Sequence, residues 1–315
     1  MDKLKVCFVG IGSIAMRHIR NLSDICIEDG INLTIDALRS GSRAIPEDIA
    51  ARLDRSYMDA AELPAGYDVV FITNPTELHL DALKATHDKA RHFFIEKPVT
   101  SYSKLSEAED VAYRPDSVYY VACPLRYTNV IQYLREHLNL SDVICARCIS
   151  SSYLPDWRPD VDYRDTYSAH KALGGGVSID LIHEWDYIQY LFGKPSRIVY
   201  ACGRKSHLEI DCEDYAVYIA EYSDKIIELH LDYFGRKTMR EIMIFTHEET
   251  IIADLVKSRI CFLKAGTVID FSEKRDDYQR RELRHFLSLL DADHPGWNAV
   301  PEACRTLSYT QGVVK

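Results

Sequence analysis

The stretch KVCFVGIGSIA, residues 5–15, decides the fold class that the sequence predicts. Its apolar first half predicts a buried strand, and the G-x-G-x-x-A pattern of Gly10, Gly12 and Ala15 opens a helix directly after it. Gly10 suits a tight turn, Gly12 lets the backbone approach a pyrophosphate, and the helix N-terminus favours the same anion. The pattern also fits a plain strand–turn–helix without a ligand. The predicted dinucleotide contacts here are Gly10, Gly12, Ser13 and Ile14.

The end of the second predicted strand indicates which dinucleotide binds. NAD(H) calls for an acid at this tip, because the acid holds the ribose 2′-hydroxyl. The chain instead continues as Leu38-Arg39-Ser40-Gly41-Ser42-Arg43, and the nearby Asp36 falls inside the strand. Arginines and serines suit a 2′-phosphate, so the sequence favours NADP(H) over NAD(H). The predicted contacts at this end are Arg39, Ser40 and Arg43.

Outward from this loop, the chain alternates strand and helix up to about residue 123. Continuous Val/Ile/Phe runs separated by helices predict a doubly wound parallel sheet, that is, a Rossmann-type α/β domain. After Pro124 longer alternating strands predict a second α/β domain with a large, open and mainly antiparallel sheet. The expected domains are therefore 1–123, which binds the dinucleotide, and 124–315, which binds substrate and supports oligomerisation.

Composition excludes several classes of protein. At 315 residues and a net charge of −10, the chain has no dense Lys/Arg run that would indicate nucleic-acid binding. No apolar run approaches the ~20 residues that span a bilayer, and the N-terminus leads straight into a strand without a signal peptide. Nine scattered cysteines and one CxxC, Cys145 and Cys148, make no metal site. We expect a cytoplasmic protein without a metal.

The tripeptide Glu96-Lys97-Pro98 follows an apolar run that predicts a further parallel strand. Open α/β sheets bind ligands beyond the carboxyl ends of their strands. A lysine there can hydrogen-bond a reacting oxygen and stabilise alkoxide charge. Taken alone, the tripeptide also fits a surface lysine after a strand.

The segment 153–186 places a polar, aromatic-rich stretch ahead of three glycines and a periodic run that predicts one helix. On that helix Asp180 and His183 would share a face, as a carboxylate–imidazole pair for proton transfer would. A capped helix with a solvated face fits the same pattern. Aromatic and cationic side chains of this segment could contact a sugar or its anionic groups, or simply pack the loop. They are Tyr153, Trp157, Arg158, Tyr163, Arg164 and Lys171.

Four motifs in this order resemble the glucose-fructose oxidoreductase/inositol dehydrogenase/MocA (Gfo/Idh/MocA) family. They are GIGSIAMRH, FITNPTELH, FIEKPVT and GGG-x-x-x-D-x-x-H-x-x-D, and together they extend over nearly the whole chain. The resemblance implies a Rossmann domain, a second domain on an open antiparallel sheet, and hydride exchange between a nicotinamide and a sugar-like alcohol.

The resemblance also implies roles for individual residues. Lys97 matches the family's catalytic lysine, and Pro98 the proline whose preceding peptide is commonly cis. Asp180 and His183 match the Asp and His of the substrate pocket. Arg126 falls where the family often has an Asn/Arg–aromatic element that meets substrate. The residues expected on the nicotinamide side are Asn74, Pro75, His79, Glu96 and Lys97.

One spacing departs from the family pattern, because many members have three residues between the Asp and the His, whereas Asp180 and His183 have two between them. This shorter spacing resembles a bacterial branch linked to surface-polysaccharide and nonulosonate pathways. It narrows the expected substrate to a sugar, sugar acid or nucleotide sugar, and leaves open whether His183 or Lys97 is the acid/base.

The sequence thus predicts an NAD(P)-dependent oxidoreductase that acts on a hydroxyl or keto group of a sugar. Two alternatives remain: an NAD-dependent, redox-assisted glycosidase, and a non-catalytic cofactor or ligand sensor on the same fold. An open sheet face would need a cover, so a homodimer or homotetramer is expected.

Overall fold

A computed structural model describes residues 1–41, 44–290 and 298–314 of the chain. The chain divides into two compact units. The first unit comprises Met1–Ala122 and Arg275–Cys304, and the second comprises Cys123–Lys274 and Arg305–Lys315. Each unit is built on its own β-sheet.

The regular elements have the following bounds. The strands are β1 (Lys3–Val9), β2 (Asn32–Leu38), β3 (Arg55–Tyr57), β4 (Tyr67–Ile72), β5 (Ala90–Ile95), β6 (Tyr119–Val121), β7 (Val143–Tyr153), β8 (Arg197–Gly203), β9 (Tyr215–Glu221), β10 (Ile226–Asp232), β11 (Phe234–Thr246), β12 (Thr250–Asp254), β13 (Arg259–Phe262) and β14 (Thr267–Asp270). The helices are α1 (Ser13–Glu28), α2 (Glu47–Ala50), α3 (His79–Thr86), α4 (Leu105–Glu109), α5 (Asn129–His137), α6 (Val177–Asp180), α7 (His183–Phe192), α8 (Arg275–Leu290) and α9 (Val300–Tyr309).

The sheet of the first unit has the strand order β3-β2-β1-β4-β5-β6, and every neighbouring pair is parallel. Its central strands β1, β4 and β5 are apolar and buried over their carboxyl-terminal parts, as in Phe8, Val70 and Phe93, which are fully buried. A strand buried on both faces needs this continuous pattern, because helices cover both sides of the sheet. This is the doubly wound parallel sheet that the sequence predicts.

Helix α8 lies against the sheet of the first unit. The Phe286 ring makes edge-on contacts with Phe71 and Phe94 at centroid distances of 6.0 and 5.2 Å. Phe286 is fully buried, so this aromatic contact fixes the helix on the sheet. The continuous second domain expected from the sequence, 124–315, therefore differs from the observed unit, which lacks the segment 275–304 and includes Cys123. An amphipathic helix pattern does not tell which of two sheets it will cover.

The sheet of the second unit has the strand order β14-β13-β12-β11-β7-β10-β9-β8. Its neighbours are antiparallel except β7 and β10, which run parallel, so the predicted large, mainly antiparallel sheet is confirmed. Strand alternation places Cys148, 3% exposed, on the buried side, while Cys145 is partly exposed. All nine cysteines are free thiols.

Two properties of the described ranges bear on function. No helix there is long and apolar enough to cross a membrane. Nor does the described part of the chain bring three or more His, Cys, Asp or Glu side chains together in a group able to hold a metal ion.

Candidate active site

The loop after β1 forms an open cradle in front of α1. Gly10 has a φ of +83°, and a Cβ at this position would lie 2.8 Å from Asn74 Cα. At Gly12 a Cβ would meet nothing within 4 Å, and no side chain caps the N-terminus of α1. The first backbone N–H groups of this 16-residue helix thus have no capping side chain, and binding of a pyrophosphate at a helix N-terminus requires such uncapped donors. Ser13 and Ile14 form the first turn of α1.

The acid within β2, Asp36, is not available to a ligand. The Asp36 carboxylate is 2% exposed and accepts a hydrogen bond of 2.7 Å from the Tyr67 hydroxyl. Arg39 follows the strand, with its backbone N–H bonded to Tyr57 O, and Ser40 is exposed. Beside this tip is a cavity of about 380 Å³, lined by Arg39, Ala44, Ile45, Ala50, Leu53, Asp54, Arg55 and Ser56. Arg43, the third predicted contact, lies outside the described residues.

The loop after β4 is bonded to the loop after β1. The Thr73 hydroxyl lies 3.0 Å from Val9 O and 2.8 Å from Gly10 O, a role that no sequence pattern indicates. Asn74 Nδ2 donates to Leu78 O, whereas its Oδ1 is buried without a hydrogen-bond partner in the described structure. An acceptor left open beside the phosphate loop fits the carboxamide donor of a nicotinamide. Pro75, next in the loop, is exposed.

His79 joins the loops that follow β4 and β5. Its Nδ1 lies 2.9 Å from Pro98 O, its Nε2 lies 2.9 Å from Asn74 O, and the residue is 2% exposed. Burial lowers the pKa of His79, against the opposite effects of the two carbonyls and of Glu96. Each ring nitrogen thus lies close to a backbone carbonyl, and the one N–H of the neutral ring donates to one of the two. His79 thus links the two loops, and its expected contact with the cofactor stays a prediction.

The Glu96-Lys97-Pro98 tripeptide stands at the carboxyl end of β5 and has a cis peptide bond between Lys97 and Pro98. Glu96 Oε1 lies 2.6 Å from His18 Nε2, and Oε2 accepts the Lys97 backbone N–H at 3.2 Å. Burial raises the pKa of the Glu96 carboxyl, but the hydrogen bond and charge of His18 and the charge of Lys97 leave it below its ordinary value. Glu96 is 8% exposed, so it braces the backbone of Lys97 from inside.

His18 was not identified from the sequence. It lies in the first half of α1, and its pairing with Glu96 joins the phosphate-loop helix to the end of β5 across 78 residues of chain. The signal was present in GIGSIAMRH, but nothing local to that motif indicates the partner. Lys97 itself is partly exposed between two buried neighbours.

Asp180 and His183 lie on two helices and not on one. Helix α6 ends at Asp180, Leu181 leaves the helical conformation with φ −98° and ψ 29°, and His183 begins α7. The predicted single helix is wrong here, because the run after the glycines is interrupted by this turn. The spacing of regular helical turns therefore does not apply to Asp180 and His183.

The Asp180 carboxylate is held by two tyrosines that the sequence reading had not singled out. The Tyr233 hydroxyl donates to Asp180 Oδ2 at 2.6 Å, and Tyr167 also hydrogen-bonds this carboxylate. Burial and the charge of Asp180 raise the pKa of Tyr233 well above its ordinary value, so the hydroxyl stays protonated and donates. The charge of Asp180 likewise raises the pKa of Tyr167. Tyr233 directly follows β10, 53 residues from Asp180, so no local pattern links them.

The glycines before α6 are required by close approach of other chain segments. A Cβ on Gly175 would lie 2.2 Å from Tyr167 O, and one on Gly176, at φ +129°, would lie 2.4 Å from Glu213 Oε1. The Ser178 hydroxyl also donates to Glu213 Oε1. The loop between β8 and β9 therefore packs directly against the segment that carries Asp180.

The predicted substrate contacts of the segment 153–186 have mixed surroundings. Trp157 Nε1 donates to Ser152 Oγ at 2.9 Å, and its ring packs edge-on against Tyr233 at 5.3 Å. The Tyr163 hydroxyl accepts the Glu209 backbone N–H. Arg158 lies over the Tyr167 ring at 5.8 Å. These contacts give Trp157 and Tyr163 a part in packing the loop, while Arg158 stays exposed next to a partner of Asp180.

Three other predicted contacts are cationic. Arg164 pairs with Asp162 at 2.6 Å and Glu209 at 3.3 Å. The backbone of Lys171 donates to Asp211, while its side chain is exposed. Arg126 makes two hydrogen bonds to Asp186, of 2.8 and 2.7 Å, which binds α7 to the turn before α5. Arg126 and Arg164 therefore form ion pairs with carboxylates of the same unit, and their contact with substrate stays a prediction.

Comparison with known proteins gives two family matches. The model described as the oxidoreductase family with an NAD-binding Rossmann fold, GFO_IDH_MocA, matches residues 4–122. The GFO/IDH/MocA C-terminal domain matches residues 141–251. Together they cover well over half of the chain.

Two curated relatives are similar over part of the chain. The uncharacterized oxidoreductase YrbE of Bacillus subtilis is 26% identical over 203 residues, which are 62% of this chain and 55% of the relative. Myo-inositol 2-dehydrogenase of Thermotoga maritima is 22% identical over 205 residues, 64% of this chain and 58% of the relative. The chain thus spans less than two thirds of the length of the curated relatives it matches.

Solved structures share the whole fold. Levoglucosan dehydrogenase in complex with NADH has a TM-score of 0.84 at 14% identity, covering 99% of this chain and 96% of the other. UDP-N-acetylglucosamine 3-dehydrogenase GnnA from Acidithiobacillus ferrooxidans has a TM-score of 0.77 at 19% identity with the same coverage. At these identities the likeness establishes the fold.

Proposed function

The chain belongs to the Gfo/Idh/MocA family of oxidoreductases, and from this membership we propose that it transfers hydride between a nicotinamide cofactor and a hydroxyl or keto group of a sugar, sugar acid or nucleotide sugar. One observation carries the proposal. In the first unit, the Gly10–Gly12 loop, Asn74 and Lys97 follow the carboxyl ends of three adjacent strands, β1, β4 and β5. Ligands of open α/β sheets bind at that edge. The sugar-acting relatives support the substrate class.

The residues present fit a nicotinamide dinucleotide. Gly10, Gly12, Ser13 and Ile14 would hold the pyrophosphate, and Asn74 and Pro75 would line the nicotinamide side. When bound, the nicotinamide supplies the hydride acceptor or donor. The chain's own part is to bind, to orient the substrate and to move a proton.

We further propose that NADP(H) is preferred to NAD(H). Asp36 is buried and bonded to Tyr67, and Arg39 and Arg55 line the cavity at the end of β2 together with Asp54, whose carboxylate accepts the Ile35 backbone N–H. Guanidinium groups suit a 2′-phosphate, whereas NAD(H) needs an acceptor at that place. Titration of the protein with NADPH and with NADH tests the preference. If NADH bound about tenfold tighter, a difference of about 1.4 kcal/mol, the preference would be overturned.

The proposed proton transfer uses Lys97, Asp180 and His183. In the oxidative direction Lys97 or His183 takes the proton of the substrate hydroxyl, and in the reductive direction the same group returns it to the forming alkoxide. Asp180 is a carboxylate fixed by the Tyr233 and Tyr167 hydroxyls, which can favour a cationic acid/base group electrostatically.

A homo-oligomer is proposed from the second sheet. Val199 and Ile219 are direct neighbours across β8 and β9 and are 43% and 41% exposed. Val217, on the same face, is 36% exposed. Apolar side chains gathered on one open sheet face favour cover by a second copy. Light scattering of the purified protein should give a mass above one chain, and a monomer at assay concentration would contradict the proposal.

The function is tested by incubating the protein with NADP⁺ or NAD⁺ and a panel of sugars, sugar acids and nucleotide sugars. We expect net formation of reduced cofactor with at least one of these classes. Glycoside hydrolysis without net cofactor reduction would instead indicate a redox-assisted glycosidase. Cofactor binding with neither reaction would indicate a sensor. Both outcomes would overturn the proposed function.

A further inference from the structure

The arginines of the second unit differ in whether a carboxylate neutralises them. Arg126 pairs with Asp186, Arg164 with Asp162, and Arg240 with Glu184 at 2.6 Å. Arg236, at the start of β11, has no ion pair with any residue in the described ranges, although the chain carries a net charge of −10. An exposed cation that stays unpaired among so many acids is available to a ligand.

Arg236 nevertheless has a defined place. Its guanidinium carbon lies 3.8 Å above the centre of the Tyr153 ring. The Tyr153 hydroxyl in turn lies 3.3 Å from His207 Nε2. We call these three residues, Tyr153, His207 and Arg236, the arginine cluster. They come from the end of β7, the β8–β9 loop and the start of β11, so three separate chain segments converge there.

The backbone that presents Arg236 is also fixed. Register between β11 and β7 is irregular from Phe234 to Met239, which takes Arg236 out of the regular ladder and leaves it exposed. The Asp232 carboxylate accepts the backbone N–H groups of Phe234 and Gly235 at 3.0 and 2.8 Å. A bulge held by a buried carboxylate is a built feature of the strand.

The arginine cluster adjoins the residues that hold Asp180. Tyr233 donates to Asp180, and its neighbour Phe234 pairs with Tyr153 across β11 and β7. Trp157, four residues after Tyr153, packs against Tyr233. The cluster and Asp180 are therefore joined by one short run of direct contacts within the second unit.

The chemistry of the cluster selects a class of ligand. Stacking on Tyr153 uses the flat face of the guanidinium, which leaves its five N–H donors at the edge. A planar fork of donors suits two oxygens of one carboxylate or phosphate.

We propose that Tyr153, His207 and Arg236 form a subsite for an anionic group of the substrate, either the carboxylate of a sugar acid or the phosphate of a nucleotide sugar. The subsite rests on the proposed function, because it assigns a substrate class to the same site. Arg236 acts here as a specificity residue and takes no part in the chemical step.

The test is a calorimetric titration of the full chain saturated with NADPH, so that the cofactor's own phosphate sites are filled. The probes are two matched pairs, glucuronate with glucose and uridine diphosphate with uridine. We expect the charged member of one pair to bind at least about tenfold tighter than its neutral partner. The pair that discriminates identifies a carboxylate or a phosphate as the anion.

Arg236→Gln should remove this discrimination, with a loss of about tenfold in affinity for the charged probe and little change for the neutral one. Arg147→Gln is the matched control, because Arg147 lies on β7, stacks over the Phe245 ring at 5.8 Å, and is paired with Glu228. It should leave the discrimination intact. Equal binding of charged and neutral probes by the unmodified protein, no binding of any probe, or equal effects of the two substitutions would overturn the subsite.

Failure of the subsite and failure of the proposed function give different results. Probe binding is read without turnover, so discrimination by Arg236 without hydride transfer to any sugar would contradict the function alone. Turnover of neutral sugars with no discrimination between the probes would contradict the subsite alone.

Discussion

The carboxyl edge of the parallel sheet and the segment around Asp180 are both candidate functional regions, but they are held in place by different means. At the sheet edge, backbone carbonyls take most of the bonds: Thr73 donates to Gly10 O, and His79 contacts Pro98 O. Around Asp180, the hydrogen bonds are made to side chains distant in the sequence: Tyr233 donates to Asp180, and Glu213 accepts from Ser178. At the sheet edge side chains reach main-chain atoms, which any residue at that position supplies, whereas around Asp180 both partners must be particular side chains.

Replacing Lys97 by alanine is expected to have the largest effect at the sheet edge. General acid–base or alkoxide-stabilising help is worth ~10²–10⁴-fold, so Lys97→Ala should lower turnover by at least about 100-fold. Single-turnover hydride transfer measures it. Lys84→Ala, which removes an exposed lysine paired with Glu107, is the control and should retain activity.

In the region around Asp180 the corresponding change is His183→Ala. It should also lower turnover by at least about 100-fold, because an acid/base group or its partner is lost. His137→Ala, at the exposed end of α5, serves as the control for loss of an imidazole. Full activity in both Lys97→Ala and His183→Ala would remove the proposed mechanism.

A pair of glycine substitutions sharpens the comparison at the phosphate loop. Gly10→Ala should lower the free energy of unfolding by about 3 kcal/mol, because a left-handed φ and a contact with Asn74 backbone both disfavour a Cβ. In Gly12→Ala the added methyl group would contact no other atom of the chain, so the free energy of unfolding should stay nearly unchanged. The same methyl group should weaken cofactor binding. Denaturant unfolding without cofactor and cofactor titration separate the two. Equal stabilities would show that Gly10 is not constrained.

Tyr233→Phe tests the side-chain support of Asp180. Removing a buried hydrogen bond to a carboxylate should lower the free energy of unfolding by about 2 kcal/mol. Tyr222→Phe is the control, since its hydroxyl makes an exposed bond of 3.2 Å to Gly193 O, and it should cost less than about 1 kcal/mol. Denaturant titration at neutral pH measures both. A Tyr233→Phe protein as stable as the parent would mean that Asp180 is held without this tyrosine.

Alkaline pH should lower the free energy of unfolding of both units, and this is the smallest of the expected effects. Burial raises the pKa of Cys7 in the first unit and of Cys212 in the second to about 12. The thiol of the unfolded chain ionises at a lower pH than the buried thiol of the folded protein. The folded state therefore keeps its full stability at pH values below the ordinary thiol pKa and loses stability as the pH rises above it. Above about pH 9, each such thiol should lower the free energy of unfolding by up to about 1.4 kcal/mol per pH unit. Unfolding of Cys7→Ala and Cys212→Ala between about pH 8.5 and 10 should show a shallower slope, and an unchanged slope would contradict the assignment.

The residues whose roles cannot be predicted from the sequence have one property in common. Thr73, His18 and Tyr233 act through partners 63, 78 and 53 residues away, so no periodicity in their own segments indicates them. Arg126 is expected to bind substrate because of its residue type, and only the structure shows that it also pairs with Asp186 on α7. Arg236 shows the opposite situation. From the sequence it is an ordinary surface arginine of a strand, and only the structure shows that it contacts the Tyr153 ring and forms no ion pair with a described residue.

The sequence by itself determined the parallel sheet, the phosphate loop, the lysine at the end of β5 and the open second sheet. These follow from hydrophobic period, glycine placement and strand ends, which act over a few neighbouring residues. Tertiary structure alone decided that α8 covers the first sheet, that the chain turns between Asp180 and His183, and which charges stay unpaired. Those outcomes depend on packing and ion pairing between segments far apart in the chain, and such contacts leave no period in the sequence.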